Sequence, residues 1–327
     1  MPNLESDEFL VGFTGDLGIA WWASREDLGI TQFPASVPLS RAIDLLDWQP
    51  ERISLPFKYA DHEQPMIMLV HPETRNLVGL HTAEYPTTNY RERLLDNVSA
   101  LIDDEIGTKI GCVGLLAGGR QAFVQITLDD IAVHEPTGER FKMWLCAYSS
   151  LDGSLANTYQ TGAMRIQCRN TFEGFRRTAE RTYKYRNTAN NRLQVATARE
   201  VLDLFGTMTT DLFAEIDRMV LTPVSDSQWE QILDRAFPTD GLSKRGQTRR
   251  QNLQREVDEI YRSDSRVGYV GTQWGALQAF TTWLQHEAEP IGGMSKAHRN
   301  MTHLMEGRFR DSEMHYRRII DSVLATV

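Results

Sequence analysis

The stretch from Cys168 to Arg192 combines cationic and aromatic side chains in a pattern that could bind a polyanion, and it reads CRNTFEGFRRTAERTYKYRNTANNR. Between Arg165 and Arg192 there are eight basic and two acidic residues, so this basic segment carries about +6 in a chain whose formal net charge is -9. Guanidinium and ammonium groups hold phosphates, and the ring faces of tyrosines stack on bases for about 1 to 3 kcal/mol each. The combination is typical of a site for single-stranded nucleic acid.

A helix from Thr171 to Arg186 would separate these side chains onto two faces, because successive residues advance by about 100°. Phe172 and Phe175 fall on an apolar face that would dock on the protein, and the cationic residues fall on the opposite face. We therefore expect phosphates to be held by Arg169, Arg176, Arg177, Arg181 and Lys184, with Tyr183 and Tyr185 as stacking residues. Two other interpretations stay open: a solvated surface helix, and a contact with the acidic surface of a neighbouring subunit.

Further basic residues could extend such a groove. Arg120 lies at the tip of a predicted hairpin, and Arg165 lies on the strand that leads into the basic segment. A second basic cluster, SKRGQTRRQNLQR, contributes Arg249 and Arg250 around a glycine-containing loop and a helix start. The alternative for this cluster is a mobile loop without a binding role.

No catalytic or cofactor-binding pattern stands out in the chain. The glycine-rich GLLAGGR lacks the G-K-[ST] of a P-loop. His298 and His303 are five residues apart, unlike the two histidines of the zinc motif H-E-x-x-H. Carboxylates cluster at Asp103-Asp104-Glu105 with Lys109 nearby, so a metal-dependent nuclease stays open as an alternative. We predict a protein that is not an enzyme and requires no cofactor or metal.

Composition narrows the class of protein. The chain has 327 residues, of which 41% are hydrophobic and 24% charged, and its apolar runs fall short of the roughly 20 residues that span a bilayer. The start MPNLESDEFLVGF lacks the basic-then-apolar order of a signal peptide, and the three cysteines form no C-x-x-C pair. These features predict a soluble cytoplasmic protein with reduced thiols and no membrane partner. A pI near 5.5 argues against indiscriminate coating of duplex DNA.

The order of predicted elements indicates an α+β protein. Residues 1–65 read as an irregular region packed on the core, residues 66–222 as an α+β core with the basic helix, and residues 223–327 as a helical C-terminal portion. In the core, TKIGCVGLL and QAFVQITL are β-rich runs joined by AGGR, a hairpin in which glycine supplies positive φ. With the strands FKMWLCAYSS and GAMRIQCRN they predict an antiparallel sheet with a β-β-β-α-like core packed by helices.

Helical periodicity dominates the second half of the chain. One earlier helix is expected to begin near Thr88 or Asn89. Predicted helices then lie at 171–186, 191–221, 226–236, 247–262, 271–288 and 308–325.

Several of these motifs, in this order, resemble a known family. GCVGLLAGGRQAFVQITL, LCAYSSLDGS, RIQCRNTFEGFRR and GTQWGALQAFTTWLQH are similar to landmarks of the phage/plasmid-like family catalogued as domain of unknown function 932. The resemblance implies a gene of phage, prophage or plasmid origin that acts in a bacterial cytoplasm. More remotely, the order of elements is similar to phage single-strand annealing proteins of the Red-beta and Erf type, which implies a ring-forming protein with single-stranded DNA in a basic groove.

These observations lead to one hypothesis and two alternatives. The hypothesis is a single-stranded-DNA-binding protein with annealing activity, which works as a homo-oligomer, a ring or a filament, in phage or plasmid recombination. The first alternative is a phage structural or host-interaction protein in which the basic helix is a subunit interface. The second is the metal-dependent nuclease.

Overall fold

The structure is a computed structural model, and it describes residues 10–13, 31–59, 62–102, 105, 107–166, 170–172, 183–185, 198–290 and 294–325. Within these ranges the protein is a mixed α+β fold with two sheets and a helical C-terminal portion, which confirms the predicted fold class. The strands, in chain order, are β1 Leu10–Phe13, β2 Thr31–Phe33, β3 Glu51–Tyr59, β4 His62–Val70, β5 Leu77–Thr82, β6 Thr108–Leu116, β7 Gln121–His134, β8 Glu139–Ser150, β9 Asn157–Arg165, β10 Thr171–Phe172 and β11 Tyr183–Tyr185.

The large sheet has the strand order β10-β9-β8-β7-β6-β1-β2, with β11 also paired to β9. Its pairings are antiparallel apart from β1 with β2, which is parallel. The strands β6 to β9 form a meander whose residues are buried on both faces. Trp144 of β8 and Gly162 of β9 lie directly opposite each other. A Cβ on Gly162 would collide with the indole of Trp144, so only glycine fits there. A smaller sheet has the order β3-β4-β5.

The helices follow from local start signals and periodic burial. They are α1 Leu39–Leu46, α2 Asp96–Ser99, α3 Ala198–Val220, α4 Asp226–Ala236, α5 Lys244–Ser263, α6 Gln273–Thr282, α7 Lys296–Met305 and α8 Arg308–Leu324. A π-helical turn, Arg91–Leu95, runs into α2, and another, Trp283–Glu287, continues α6. Ser225 begins α4 with a capping box shared with Gln228. Ser243, Thr272 and Ser295 are simple N-caps of α5, α6 and α7. Each side-chain oxygen accepts from a backbone N–H in the first turn of its helix.

Two hydrophobic clusters lie on opposite faces of the large sheet. The main core joins α1, the meander and the C-terminal helices, with Ala42, Val124, Phe205 and Trp274 among its members. The second, smaller core packs the other face of the sheet against α7 and the start of α8. Because the main core contains residues from all three predicted regions, the sheet and the C-terminal helices are held to each other by buried apolar contacts.

Three local predictions differ from the structure. The N-terminal region is not irregular throughout, because β1 and β2 join the large sheet and β3 joins the small one. Helix α7 was not expected, since its sequence KAHRNMTHLM mixes polar residues into the buried face. The helix expected at 171–186 is wrong at both ends, where β10 and β11 are strands. No helix in the described ranges is long and apolar enough to cross a membrane.

Candidate functional site

The basic segment is paired at two places to the same edge of the large sheet. Thr171 pairs with Met164 of β9, and Tyr183 pairs with Tyr159 of the same strand, both antiparallel. Backbone pairing thus selects strand over helix at these two places, because β9 would otherwise be an open edge with unpaired N–H and C=O groups. Arg169, Arg176, Arg177 and Arg181 lie outside the described residues, and Tyr183, Lys184 and Tyr185 are described as the backbone of β11.

The entrance to the basic segment is fixed by Asn170. This residue is fully buried, and its amide nitrogen donates to the hydroxyls of Thr281 at 3.1 Å and Thr282 at 2.9 Å on α6. Its carbonyl accepts from the backbone N–H of Arg165 at 2.9 Å. Asn170 therefore anchors the edge of the sheet to α6.

Arg165 is not part of an exposed groove, which corrects its predicted role. Its side chain is 4% exposed, and its guanidinium forms an ion pair with Glu139 at 2.7 Å and donates to the Arg266 carbonyl at 2.6 Å. The carboxylate of Glu139 also accepts from the Trp274 indole at 2.9 Å and from the Gln278 amide at 3.0 Å. A buried ion pair is tolerated when further hydrogen bonds satisfy its atoms, so this network is a structural joint between sheet and α6.

The second basic cluster forms the exposed start of α5, not a mobile loop. Residues 243–252, here named the α5 arm, are exposed apart from the partly exposed Gly246, whereas Val257, Ile260 and Tyr261 further along α5 are buried. The arm contains Arg249 and Arg250, both predicted, and two further cations, Lys244 and Arg245.

No carboxylate balances the α5 arm within the described part of the chain. Lys244, Arg245, Arg249 and Arg250 form no ion pair with a described residue. Arg255, just beyond the arm, donates to Asn252 at 3.0 Å. The region from 243 to 255 contains five basic and no acidic residues, so it is a second cationic surface of about +5 in an acidic chain.

Beside the α5 arm lies a groove of about 800 Å³ with the opposite charge. Five carboxylates and two arginines are among its lining residues, and the indole of Trp283 donates to one of these carboxylates, Glu256, at 3.2 Å. One of the arginines, Arg266, pairs with Asp264 and Glu287, whose hydrogen bonds raise its pKa. The net negative lining makes this groove unsuitable for phosphates.

The hairpin that carries Arg120 lies at one end of the large sheet. Gly118 and Gly119 have positive φ angles of 72° and 87°, as the predicted tight turn requires. The Tyr90 hydroxyl lies 3.1 Å and 2.5 Å from the carbonyl oxygens of Gly119 and Arg120, and it accepts from the N–H of Leu151 at 3.1 Å. Tyr90 therefore holds the A-G-G-R hairpin beside the S-S-L-D-G-S turn, while the Arg120 side chain is exposed.

Two aromatic residues that sequence reasoning missed pack against this hairpin. The rings of Trp48 and His71 lie 4.2 Å apart between centroids. A Cβ placed on Gly119 would sit 3.5 Å from His71 Cδ2 and 3.6 Å from Trp48 Cζ2, so both rings flank the hairpin backbone. The sequence assigned neither residue a role, since they meet the hairpin only through the fold.

The carboxylates considered for a nuclease are only partly described. Asp103 and Asp104 lie outside the described residues, and Glu105 is exposed. Lys109 forms an ion pair with Asp129. Among the described residues, no group of three or more His, Cys, Asp and Glu side chains could hold a metal ion.

Comparison with known proteins gives one match. A family model described as Domain of unknown function (DUF932) matches residues 79–319, which include the hairpin, the basic segment and the α5 arm. No curated protein and no solved structure matches the chain.

Proposed function

Since the chain belongs to the DUF932 family, whose description states no activity, we propose a function from its own charges and contacts. The protein binds single-stranded DNA and anneals complementary strands, as a cytoplasmic homo-oligomer in the recombination of a phage, prophage or plasmid. Annealing requires no nucleotide or metal, because stacking and pairing of complementary strands release free energy by themselves.

The observation that carries this proposal is the unbalanced cationic surface of the α5 arm. From Lys244 to Arg255 the helix rises by about 16 Å at 1.5 Å per residue. That length covers roughly five phosphates at the 3.4 Å axial spacing of one strand of duplex DNA. Exposed cations that form no ion pair within the protein can pair with the phosphates of a polyanion. Each such contact releases counterions, which favours binding and makes it depend on salt concentration.

The attachment of the basic segment supports the same function. Its residues 171–172 and 183–185 are paired to β9, so these parts of the segment lie on the edge of the large sheet. The segment is about +6, and with residues 243–255 at about +5 the chain has two separate cationic stretches despite its net charge of -9. Such charge separation favours binding of a strand without indiscriminate coating of duplex DNA.

Fluorescence anisotropy of a labelled oligothymidylate, from low to moderate salt, tests the proposal. We expect saturable binding with a steep salt dependence. Two variants locate the site: Arg245→Gln/Arg249→Gln/Arg250→Gln on the α5 arm, and Arg176→Ala/Arg177→Ala/Arg181→Ala in the basic segment. The matched control, Arg218→Gln/Arg308→Gln/Arg318→Gln, removes the same charge from other exposed positions. Equal losses in all three variants, or no binding by the parent protein, would reject the site.

A strand-annealing assay in EDTA tests the activity itself. Two complementary oligonucleotides, one with a fluorophore and one with a quencher, should pair faster in the presence of the protein than alone. Acceleration that depended on added Mg²⁺, or degradation of the labelled strand, would contradict metal-free annealing and would favour a metal-dependent nuclease.

A second candidate function is a subunit contact, and the acidic groove favours it. The groove and the α5 arm share Arg249 and carry opposite charges, so the arm of one copy could meet the groove of another. Light scattering distinguishes the two functions: an oligomer that dissociates in high salt and never binds DNA would support the subunit contact.

A further inference from the structure

We propose that Trp48, His71 and Arg120 form a phosphate-binding site at the glycine hairpin. Trp48 and His71 lie outside the residues that match the family, and their two rings lie against Gly119. The site would recognise a phosphate group through two N–H donors and one guanidinium.

The first donor is Nε2 of His71. Its Nδ1 accepts from the backbone N–H groups of Glu73 and Thr74, both at 3.3 Å, so the proton of the neutral ring sits on Nε2. The side chain is 6% exposed, and Nε2 has no acceptor among the described residues. Burial lowers the pKa of His71, which keeps the ring in this neutral, singly protonated form.

The second donor is the indole N–H of Trp48. Nε1 is buried and has no hydrogen-bond partner in the described part of the protein. A buried donor without an acceptor is unfavourable. Because the ring also contacts His71, an oxyanion at the hairpin could accept from both donors and remove this cost.

Arg120 supplies the charge. Its Nε donates to the Ala117 carbonyl at 2.7 Å, which folds the exposed side chain back over the hairpin. It forms no ion pair with a described residue, so its terminal nitrogens can form the two parallel hydrogen bonds that guanidinium makes with phosphate.

The carboxylates around the pair are largely neutralised. Asp47, next to Trp48, pairs with Arg91 at 2.8 Å, and Glu51 pairs with Arg75. Glu73 is the remaining acidic group close to His71, and its charge partly opposes the lowering of the His71 pKa. The positive charge that offsets Glu73 and attracts an anion would come from Arg120 of the hairpin.

The phosphate could belong to a bound DNA strand, in which case the site deepens the proposed function, or to a free nucleotide. NMR spectra of the ¹⁵N-labelled indole groups report directly on the Trp48 N–H, the proposed donor. The chain has seven tryptophans, and Trp48→Phe assigns the Trp48 signal by its disappearance. The probes are inorganic phosphate, thymidine monophosphate and an oligothymidylate, each at an ionic strength fixed with NaCl.

We expect the Trp48 N–H signal to move saturably with the phosphate probes. The Arg120→Gln variant, whose exposed position leaves folding intact, should require a several-fold higher probe concentration for the same shift. The Trp274 signal should stay in place, because that buried indole already donates to Glu139.

Two results would overturn the site: a Trp48 signal unmoved by all three probes, or the same movement caused by NaCl alone. The test separates this site from the proposed function. If the nucleotide moves the signal but the oligothymidylate never binds, single-strand binding fails and the phosphate site stands. If the oligothymidylate binds by anisotropy and none of the three probes moves the signal, the strand follows the cationic stretches and the phosphate site is rejected.

Discussion

The indole nitrogen of Trp274 donates a 2.9 Å hydrogen bond to the carboxylate of Glu139, 135 residues earlier in the chain. Glu139 begins β8 and Trp274 lies in the first turn of α6, so this bond joins the large sheet to the helical portion. The same carboxylate neutralises Arg165 at the end of β9. Motifs that are distant in sequence thus converge on one buried acidic group.

Substitution of Glu139 by Gln should destabilise the protein strongly. Gln keeps the shape of the side chain but leaves the buried guanidinium of Arg165 without its counter-charge, and breaking a buried pair in this way costs about 3 to 5 kcal/mol. The free energy of unfolding is measured by denaturant titration. Glu135→Gln, at an exposed position four residues away, is the control and should change stability by less than about 0.5 kcal/mol. Equal midpoints for both variants would contradict the structural joint.

Two glycine substitutions should have opposite signs. Gly162→Ala would push a methyl group into the Trp144 ring, and overpacking of this kind costs about 3 kcal/mol. Gly206→Ala, in α3, meets nothing within 4 Å, so it should stabilise the helix by about 0.5 to 1 kcal/mol. Thermal unfolding of both variants checks the register of β8 with β9, since a shift by one residue would remove the collision.

Stability should decrease in mild acid because of His303. Burial, with nearby Arg299 and Arg308, lowers its pKa from 6.5 to about 4 in the folded protein. The unfolded chain therefore binds the proton first as the pH falls below 6.5, and the folded state loses stability between pH 6.5 and 4. Because the ring is partly exposed, solvent screening limits the effect to about 1 kcal/mol. Urea titrations at pH 7 and pH 5 give the free energy of unfolding of the protein and of His303→Gln. Between these pH values the protein should lose more stability than the variant, and equal losses would disprove this role.

The α5 arm should set part of the salt dependence of DNA binding. For single-stranded DNA, a plot of the logarithm of the binding constant against the logarithm of the salt concentration has a slope of about −0.7 for each phosphate contact. Because Arg245→Gln/Arg249→Gln/Arg250→Gln removes three cations, it should reduce the magnitude of this slope by about 2. The control set Arg218→Gln/Arg308→Gln/Arg318→Gln should leave the slope nearly unchanged. An unchanged slope in the α5 arm variant would place the phosphates elsewhere.

Local signals predicted much of the fold. The tight turn at Gly118-Gly119 needs positive φ, and the β-rich runs on either side of it predict paired strands. Helix α4 has the bounds predicted for it, 226–236, and in the structure a capping box of Ser225 and Gln228 lies at its start. The two cationic stretches were also predicted from the sequence, because the charge of a short stretch depends only on the residues within it.

The sequence by itself determined the α+β class, the hairpin, most C-terminal helices and the concentration of positive charge, because these depend on neighbours within a few residues. Only the tertiary structure decided that Arg165 is a buried partner of Glu139, that the ends of the basic segment are strands, and that Trp48 and His71 meet at Gly119. Each of these depends on contacts between residues far apart in the chain, where the open edge of β9 or a buried charge outweighs helical periodicity.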